Sequence, residues 1–339
     1  MLLPEIQTWA EWGRMFTDVA QWTPAVGEIC RRESISYRCI QAGYPGTNAV
    51  FILDQAWVVK IYAPFCKEDF FRERELHPLL ARNPQIPVPR LRAVGTLSDR
   101  IEWPYIIMNY LPGQPIREVR NHINRTNRLE IAATLGQIVR ELHCTPLHEV
   151  KSLDTSRGHW RRFLDGRMAG CVEELRRDGI LSAGVLDEIP AFLQSVVGTP
   201  RPQVPLVLVN GDLTEDHLLV RKEGERWLIS GVIDLADSLI GEREYEWVAL
   251  WLSALDRDAE CMRAFMDTYD SGKSLDDAFL DRALAFTFVH EFGASCIKAV
   301  LQGMGYPDLG SVRQLRHLLW GALAKAAGHT LWSCCMRRI

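Results

Sequence analysis

Long hydrophobic runs are missing from this 339-residue sequence: 47% of it is hydrophobic, yet no stretch of about 18 apolar residues occurs, which argues against a single helical membrane span. The first residues lack the basic start and unbroken apolar segment of a secretory leader and carry Glu5 and Glu11 instead. Charge of one sign is scarce as well. With 39 Lys+Arg against 43 Asp+Glu the net is -4, so nothing in bulk favours nucleic acid or an anionic membrane. The nine cysteines lack metal-ligand spacing, and Cys334 and Cys335 are adjacent, which indicates neither a zinc site nor a secreted disulfide framework. Gly-Lys-Ser/Thr of a Walker A loop is absent, as are internal repeats and low-complexity segments. The expectation is a cytoplasmic, soluble chain with free thiols and no obligate protein partner.

What is present divides into two parts. Apolar spacing at Ile6, Trp9, Trp12, Phe16 and Val19 predicts helix over 5–30. Two strand-like runs follow, 39–53 and 56–62, the first broken by Gly43, Pro45 and Gly46. A helix is predicted over 67–81, an extended stretch at 90–95 and a strand at 103–110. Two prolines and a glycine between Leu111 and Pro115 make the best hinge. Beyond it the pattern is mostly helical, over 127–143, 160–178, 185–197, 245–269, 276–302 and 312–330, interrupted by one pair of strands at 206–237. The implied architecture is α+β, with a sheet-bearing lobe (1–108), a hinge (109–115) and a larger helical lobe (116–339). A nucleotide can lie in the cleft between two such lobes.

Five features carry chemistry. Period-2 alternation in strand 56–62 places Lys60, a cation, inside an otherwise apolar run; alone it reads as an edge-strand lysine reaching water. Glu75 offers it an anionic partner, because Phe71, Glu75 and Leu79 share a helical stripe, with Glu73 assigned to another face. The segment Ala42-Gly-Tyr-Pro-Gly-Thr-Asn48 lies between strands, where backbone N–H groups and the Thr47 hydroxyl can cover phosphates, although an ordinary hairpin turn reads the same way. Asp212 and Asp234 each end an apolar run, 22 residues apart. Paired carboxylates of this kind suit phosphoryl transfer, one orienting an attacking hydroxyl and the other holding magnesium. Glu215 and Asp216 in the intervening turn read as solvated surface.

Lys60, Glu75, Asp212 and Asp234, in that order, resemble the aminoglycoside phosphotransferase family of protein-kinase-like enzymes. The family signature His-Gly-Asp-x-x-x-x-Asn corresponds to Asn210-Gly-Asp-Leu-Thr-Glu-Asp-His217, its Ile-Asp motif to Ile233-Asp234, and its Gly-Asp-Pro-x-Tyr-Asp to Gly241-Glu-Arg-Glu-Tyr-Glu246. Short matches at 45–48, 103–105 and 284–292 are most similar to the branch that phosphorylates hygromycin B. The resemblance implies a kinase-like two-lobe fold in which Lys60 and Glu75 position the phosphates, assisted by Thr47 and Asn48. It further implies Met108, Asn109, Tyr110 and Leu111 against the base of ATP or GTP, Asp212 as catalytic base, and Asp234 with His217 holding magnesium. Asn210 stands where the family has a histidine that braces the loop, and His217 where it has asparagine, a better donor to magnesium, which prefers oxygen. The implied acceptor is a small aminoglycoside-like cation. Between Leu235 and Ser295 there are thirteen acidic and five basic residues; Asp237, Glu242, Glu246, Asp256, Asp258 and Glu291 are the candidates to hold its ammonium groups. A kinase for another small metabolite and a silent nucleotide-binding scaffold are the alternatives.

Overall fold

A computed structural model describes residues 8–326 apart from 14, 16, 45 and 272–274, together with Leu3 and Ile6. The first part opens on two helices, α1 (Trp9–Gly13) and α2 (Val19–Arg32), the latter capped by the Asp18 carboxylate, which accepts from Gln21 N. Strands β1 (Ile40–Ala42), β2 (Ala49–Leu53) and β3 (Trp57–Ile61) precede α3 (Lys67–Leu80), and β4 (Leu91–Ser98) and β5 (Glu102–Asn109) follow it. They form one antiparallel sheet in the order β1-β2-β3-β5-β4. Alternation fixes its faces: Phe51, Val59, Ile61, Trp103 and Ile107 pack with Trp12, Trp22 and Ile29 of the N-terminal helices. On the opposite face Tyr62, Ile106 and Met108 cluster with Phe70 of α3.

After the hinge come β6 (Gln114–Pro115), α4 (Ile116–Val119), α5 (Arg125–His143), α6 (Arg157–Asp178) and α7 (Ala183–Val196). Asn124, Ser156 and Ser182 each accept a hydrogen bond from an N–H of the first turn of α5, α6 and α7. The strand-rich segment holds four strands rather than two: β7 (Leu206–Val209), β8 (Leu218–Glu223), β9 (Arg226–Val232) and β10 (Leu239–Glu242). β7 pairs with β10, whereas β8 and β9 form a hairpin with β6 on its edge. Asp212 and Asp234 thus follow strands of two different sheets. Gly224, at φ 59, closes the short β8–β9 turn.

Three helices expected to be continuous are broken, the first over 5–30, which divides into α1 and α2 with Asp18 capping the second. Over 245–269 the chain forms a 3-10 turn at Arg243–Tyr245, α8 (Trp247–Ala249), a π turn at Leu250–Ala254, and then α9 (Ala259–Tyr269). Asp256 and Arg257 adopt positive φ at the break, and Asp258 caps α9. The segment 276–302 divides into α10 (Asp277–Val289) and α11 (Gly293–Gly303), bent by 108° at His290. Helix α12 (Val312–Ala326) closes the described part, and its expected extension over 327–330 lies outside the described residues. Trp160, Trp247, Trp251, Phe265, Phe286 and Trp320 anchor the large core. No single helix among the described residues is long and apolar enough to cross a membrane.

Candidate active site

Lys60 lies in the middle of β3, opposite Val50 and Ile106, and is only 4% exposed. A buried ammonium needs anionic partners, and it has two: its Nζ is 2.9 Å from Glu73 Oε2 and 3.1 Å from Asp234 Oδ1. Glu73, not Glu75, is therefore the helix partner. Helix α3 buries the stripe Phe70, Glu73, Leu76, His77 and Leu80, while Phe71 is 40% exposed, so the phase inferred through Phe71 and Leu79 is off by half a turn. Glu75 instead accepts a hydrogen bond from Lys151 N at the surface.

Glu73 connects three elements. Beside Lys60 it accepts from the Tyr62 hydroxyl and, through Oε1, from Leu235 N at 3.0 Å, one residue past Asp234. Burial opposes its ionisation, but Lys60, His77 and Tyr62 outweigh that and hold the carboxyl well below the usual range. Burial likewise opposes the charge on Lys60, and Asp234 and Glu73 overcome it, keeping the ammonium protonated.

The turn after β7 carries Asp212. Asn210 braces it twice, Oδ1 accepting from Asp212 N and Nδ2 donating to Asp234 O, both at 2.9 Å. One amide thereby ties the two acidic loops together. Gly211 sits at φ 81, and a Cβ there would meet Asp237 O at 2.8 Å, so only glycine suits the approach. Asp234 itself adopts φ 63, a costly conformation for a non-glycine residue, and its Oδ1 accepts from Ala236 N at 3.1 Å.

His217 commits its Nδ1 to Asp212. Its Nδ1 lies 2.9 Å from Asp212 O and 3.1 Å from Asp212 Oδ2. Burial opposes protonation of the ring, but Asp212 and Asp234 dominate and push it up to about 9. At Asp212 burial is the largest influence and raises the carboxyl, His217 offsetting part of the rise. Asp212 O is a carbonyl and can only accept, so Nδ1 carries a proton there and offers no lone pair.

The six acidic candidates separate. Glu246 is fully buried and accepts from Asn210 N at 2.7 Å and Gly211 N at 3.2 Å, so it holds the Asp212 turn from below. Glu242 is engaged by Trp160 Nε1 and Arg201, Asp256 by Arg120, and Asp258 by Arg125 and the first turn of α9. These four are committed to partners inside the chain. Asp237 remains beside Asp212, with Glu291 near Asp237. Burial, with Asp234, Asp212 and Glu291 nearby, pushes Asp237 up to about 7, the signature of carboxylates crowded without enough cations. Glu215 and Asp216 are not free surface either, being paired with Arg117 and Arg120.

A cleft of ≈ 590 Å³ runs between the lobes, lined by Gly46, Thr47, Asn48, Val58, Lys60, Glu73, Met108, Asn109, Tyr110, Leu111, His217 and Asp234, among others. Its lining combines apolar side chains, Val58, Met108 and Leu111 among them, with the ionic group Lys60, Glu73 and Asp234, which suits a flat base with an anionic tail. Among the described residues no three His, Cys, Asp or Glu side chains converge as a metal cage. Magnesium does not require one, since it is commonly held by one or two carboxylates together with phosphates and water. The hard oxygens of Asp234 and Asp212 suit that ion.

Residues 40–279 match the family model described as the phosphotransferase enzyme family, APH. Among solved structures, the GDP complex of wild-type aminoglycoside 2'-phosphotransferase-IIIa superposes with a TM-score of 0.66 at 18% identity, covering 89% of this chain and 98% of that one. The streptomycin–ATP ternary complex of APH(2'')-IIa gives 0.56 at 18% identity, covering 78% and 87%. At such identities the likeness is one of fold. A probable ketoamine kinase of Vibrio vulnificus is 24% identical over 176 residues; the match takes in 50% of this chain and 58% of that protein's length.

Proposed function

Because the chain belongs to the phosphotransferase enzyme family, we propose that it transfers the γ-phosphoryl group of ATP or GTP to a hydroxyl of a small, cationic, aminoglycoside-like sugar. The observation that carries this reading is the Lys60–Glu73–Asp234 ion cluster at the inner end of the cleft, beside the Asp212 loop. In this reading Met108 to Leu111 flank the base, and Lys60, held by Glu73, positions the phosphates. Asp234 is the residue that would hold magnesium, which when bound neutralises charge on the phosphate oxygens. Asp212 accepts the hydrogen bond of the acceptor hydroxyl and orients it for in-line attack, and His217 fixes the carboxylate that does so.

Asp237 supplies negative charge next to Asp212, Glu291 lies near Asp237, and ammonium groups on the acceptor would satisfy both. Hygromycin B and other aminoglycosides fit this chemistry, and antibiotic resistance would follow from modifying them. The Vibrio vulnificus relative favours a second acceptor class, an amine-bearing sugar metabolite such as a ketoamine.

Purified protein incubated with ATP or GTP, magnesium and a panel holding aminoglycosides, hygromycin B among them, and a ketoamine decides the matter by product mass. A mass gain of one phosphate on an aminoglycoside supports the first reading, and gain on the ketoamine alone moves the assignment to the second. Asp212→Asn is expected to lower kcat by roughly 10²- to 10⁴-fold with nucleotide affinity retained. No phosphorylation of any acceptor by wild type, or equal rates for wild type and variant, would sink the proposal.

A further inference from the structure

Trp12 belongs to α1, ahead of the segment that matches the family, yet its side chain reaches the nucleotide cleft indirectly. Its indole Nε1 donates a hydrogen bond of 2.6 Å to the backbone oxygen of Thr47. Thr47 and Asn48 line the cleft at the β1–β2 turn, whereas Trp12 sits on the far side of that turn, 2% exposed in the sheet core. The indole has little freedom there. Its ring stacks on Trp103 at 6.1 Å and meets the edge of Trp22 at 5.7 Å.

A trans peptide points its C=O and its N–H in opposite directions, and no peptide among the described residues is cis. When the core draws the Thr47 oxygen toward Trp12, the Asn48 N–H of the same peptide turns the other way, toward the cleft. Asn48 itself is 3% exposed and continues directly into β2, which fixes the other end of the turn. A backbone N–H fixed in this direction is a ready donor to an anion. We propose that Trp12 is a positioning residue for nucleotide binding: it orients the Thr47–Asn48 peptide so that its N–H faces the phosphates.

The inference rests on the nucleotide reading above, and its test separates the two. Trp12→Phe keeps an aromatic ring in the core but removes the donor. Trp22→Phe is the matched control, because Trp22 Nε1 donates to Met15 O at 2.8 Å in the same aromatic cluster without touching the cleft. Isothermal titration with ADP and with adenosine reads the effect of the phosphates. Trp12→Phe is expected to weaken ADP by about fivefold, the order of one lost hydrogen bond, to leave adenosine unchanged, and to differ from Trp22→Phe, which binds both ligands as wild type does. Equal weakening of ADP and adenosine, the same loss in Trp22→Phe, or no loss at all overturns the role of Trp12 while leaving the nucleotide site standing. Wild type that binds neither ligand overturns both. Should Trp12→Phe not fold, NMR of the wild-type indole N–H decides: slowed hydrogen exchange with ADP and not with adenosine supports the proposal, and identical exchange with both overturns it.

Discussion

Glu73 carries more of the site than any other single carboxylate, because Lys60, Tyr62 and Leu235 N all converge on it. Removing its charge leaves Lys60 buried with Asp234 alone and frees the backbone next to the metal-binding candidate. Loss of one member of a buried pair costs about 3–5 kcal/mol, so Glu73→Gln is expected to lower the thermal midpoint by several degrees and weaken ATP at least about tenfold. Glu75→Gln loses one surface contact to Lys151 N and is expected to stay within about 0.5 kcal/mol of wild type. Parallel melting curves and nucleotide titrations on both variants check the assignment, and a larger effect at position 75 would reverse it. The sequence pattern misleads toward Glu75 because α3 has apolar residues on both phases, Phe70–Leu76–Leu80 and Phe71–Leu79, and periodicity cannot rank two stripes of similar length. Lys60, Asp212 and Asp234 were legible because each is a lone charge in or at the end of an apolar run. The internal partners of Glu242, Asp256 and Asp258 were not, since Arg201, Arg120 and Arg125 lie 41 to 136 positions away in the chain and a local reading sees only an acidic stretch.

The elements around Asp212 show why its loop holds one shape. Strand β7 ends at Val209, and the next two N–H groups both donate to Glu246, at the entry to α8. A buried carboxylate thus does for this turn what a cap does for a helix, and His143 Nε2, 3.5 Å away, adds a second neighbour from α5. Glu246→Gln replaces one of the two acceptor oxygens by a donor that faces an N–H. We expect it to cost about 2 kcal/mol or more and to lower kcat with a smaller change in nucleotide affinity, since Lys60 and Glu73 belong to the other lobe. Unchanged kcat in a folded variant would show that the loop keeps its shape without the carboxylate. The breaks that deliver Glu246 and Glu291 were hidden for a related reason. Leu255 to Asp258 interrupt α8–α9 without glycine or proline, with positive φ at Asp256 and Arg257, whereas the α10–α11 bend has one local signal, Gly293, where a Cβ would run into Thr287 O. The amphipathic spacing continues across both breaks, and the apolar pattern alone reads as unbroken helix.

Across the whole molecule the two halves meet through few ionic contacts, and the large lobe secures its side of the cleft with a neutral buried histidine. His290 lies at the bend between α10 and α11, stacks on Tyr245 at 4.3 Å, and accepts from Phe292 N at 3.1 Å. Arg167 donates to the carbonyls of Val289 and His290, and the Gly211 backbone approaches the ring. Burial, reinforced by Arg167, pushes His290 down to about 3, whereas the unfolded chain titrates near the ordinary value of about 6.5. The folded state therefore binds fewer protons than the unfolded state between those two values, and its stability rises with pH there. The contribution is fully present above about 6.5 and is lost as pH falls toward 3, at about 1.4 kcal/mol per unit in the steep part. His290→Gln removes this term. Denaturant unfolding at pH 7, 6, 5 and 4 is expected to show the variant less stable at pH 7, because the stacked ring is gone, with the gap to wild type narrowing steadily below pH 6. Parallel curves would mean that the imidazole finds a proton acceptor in the native state. Because the bend carries Glu291 and touches the Asp212 loop through Gly211, acid is expected to loosen the acceptor side before the Lys60–Glu73 pair. Hydrogen exchange at pH 5 would then open residues 289–293 ahead of β3 in wild type, and this ordering would disappear in His290→Gln.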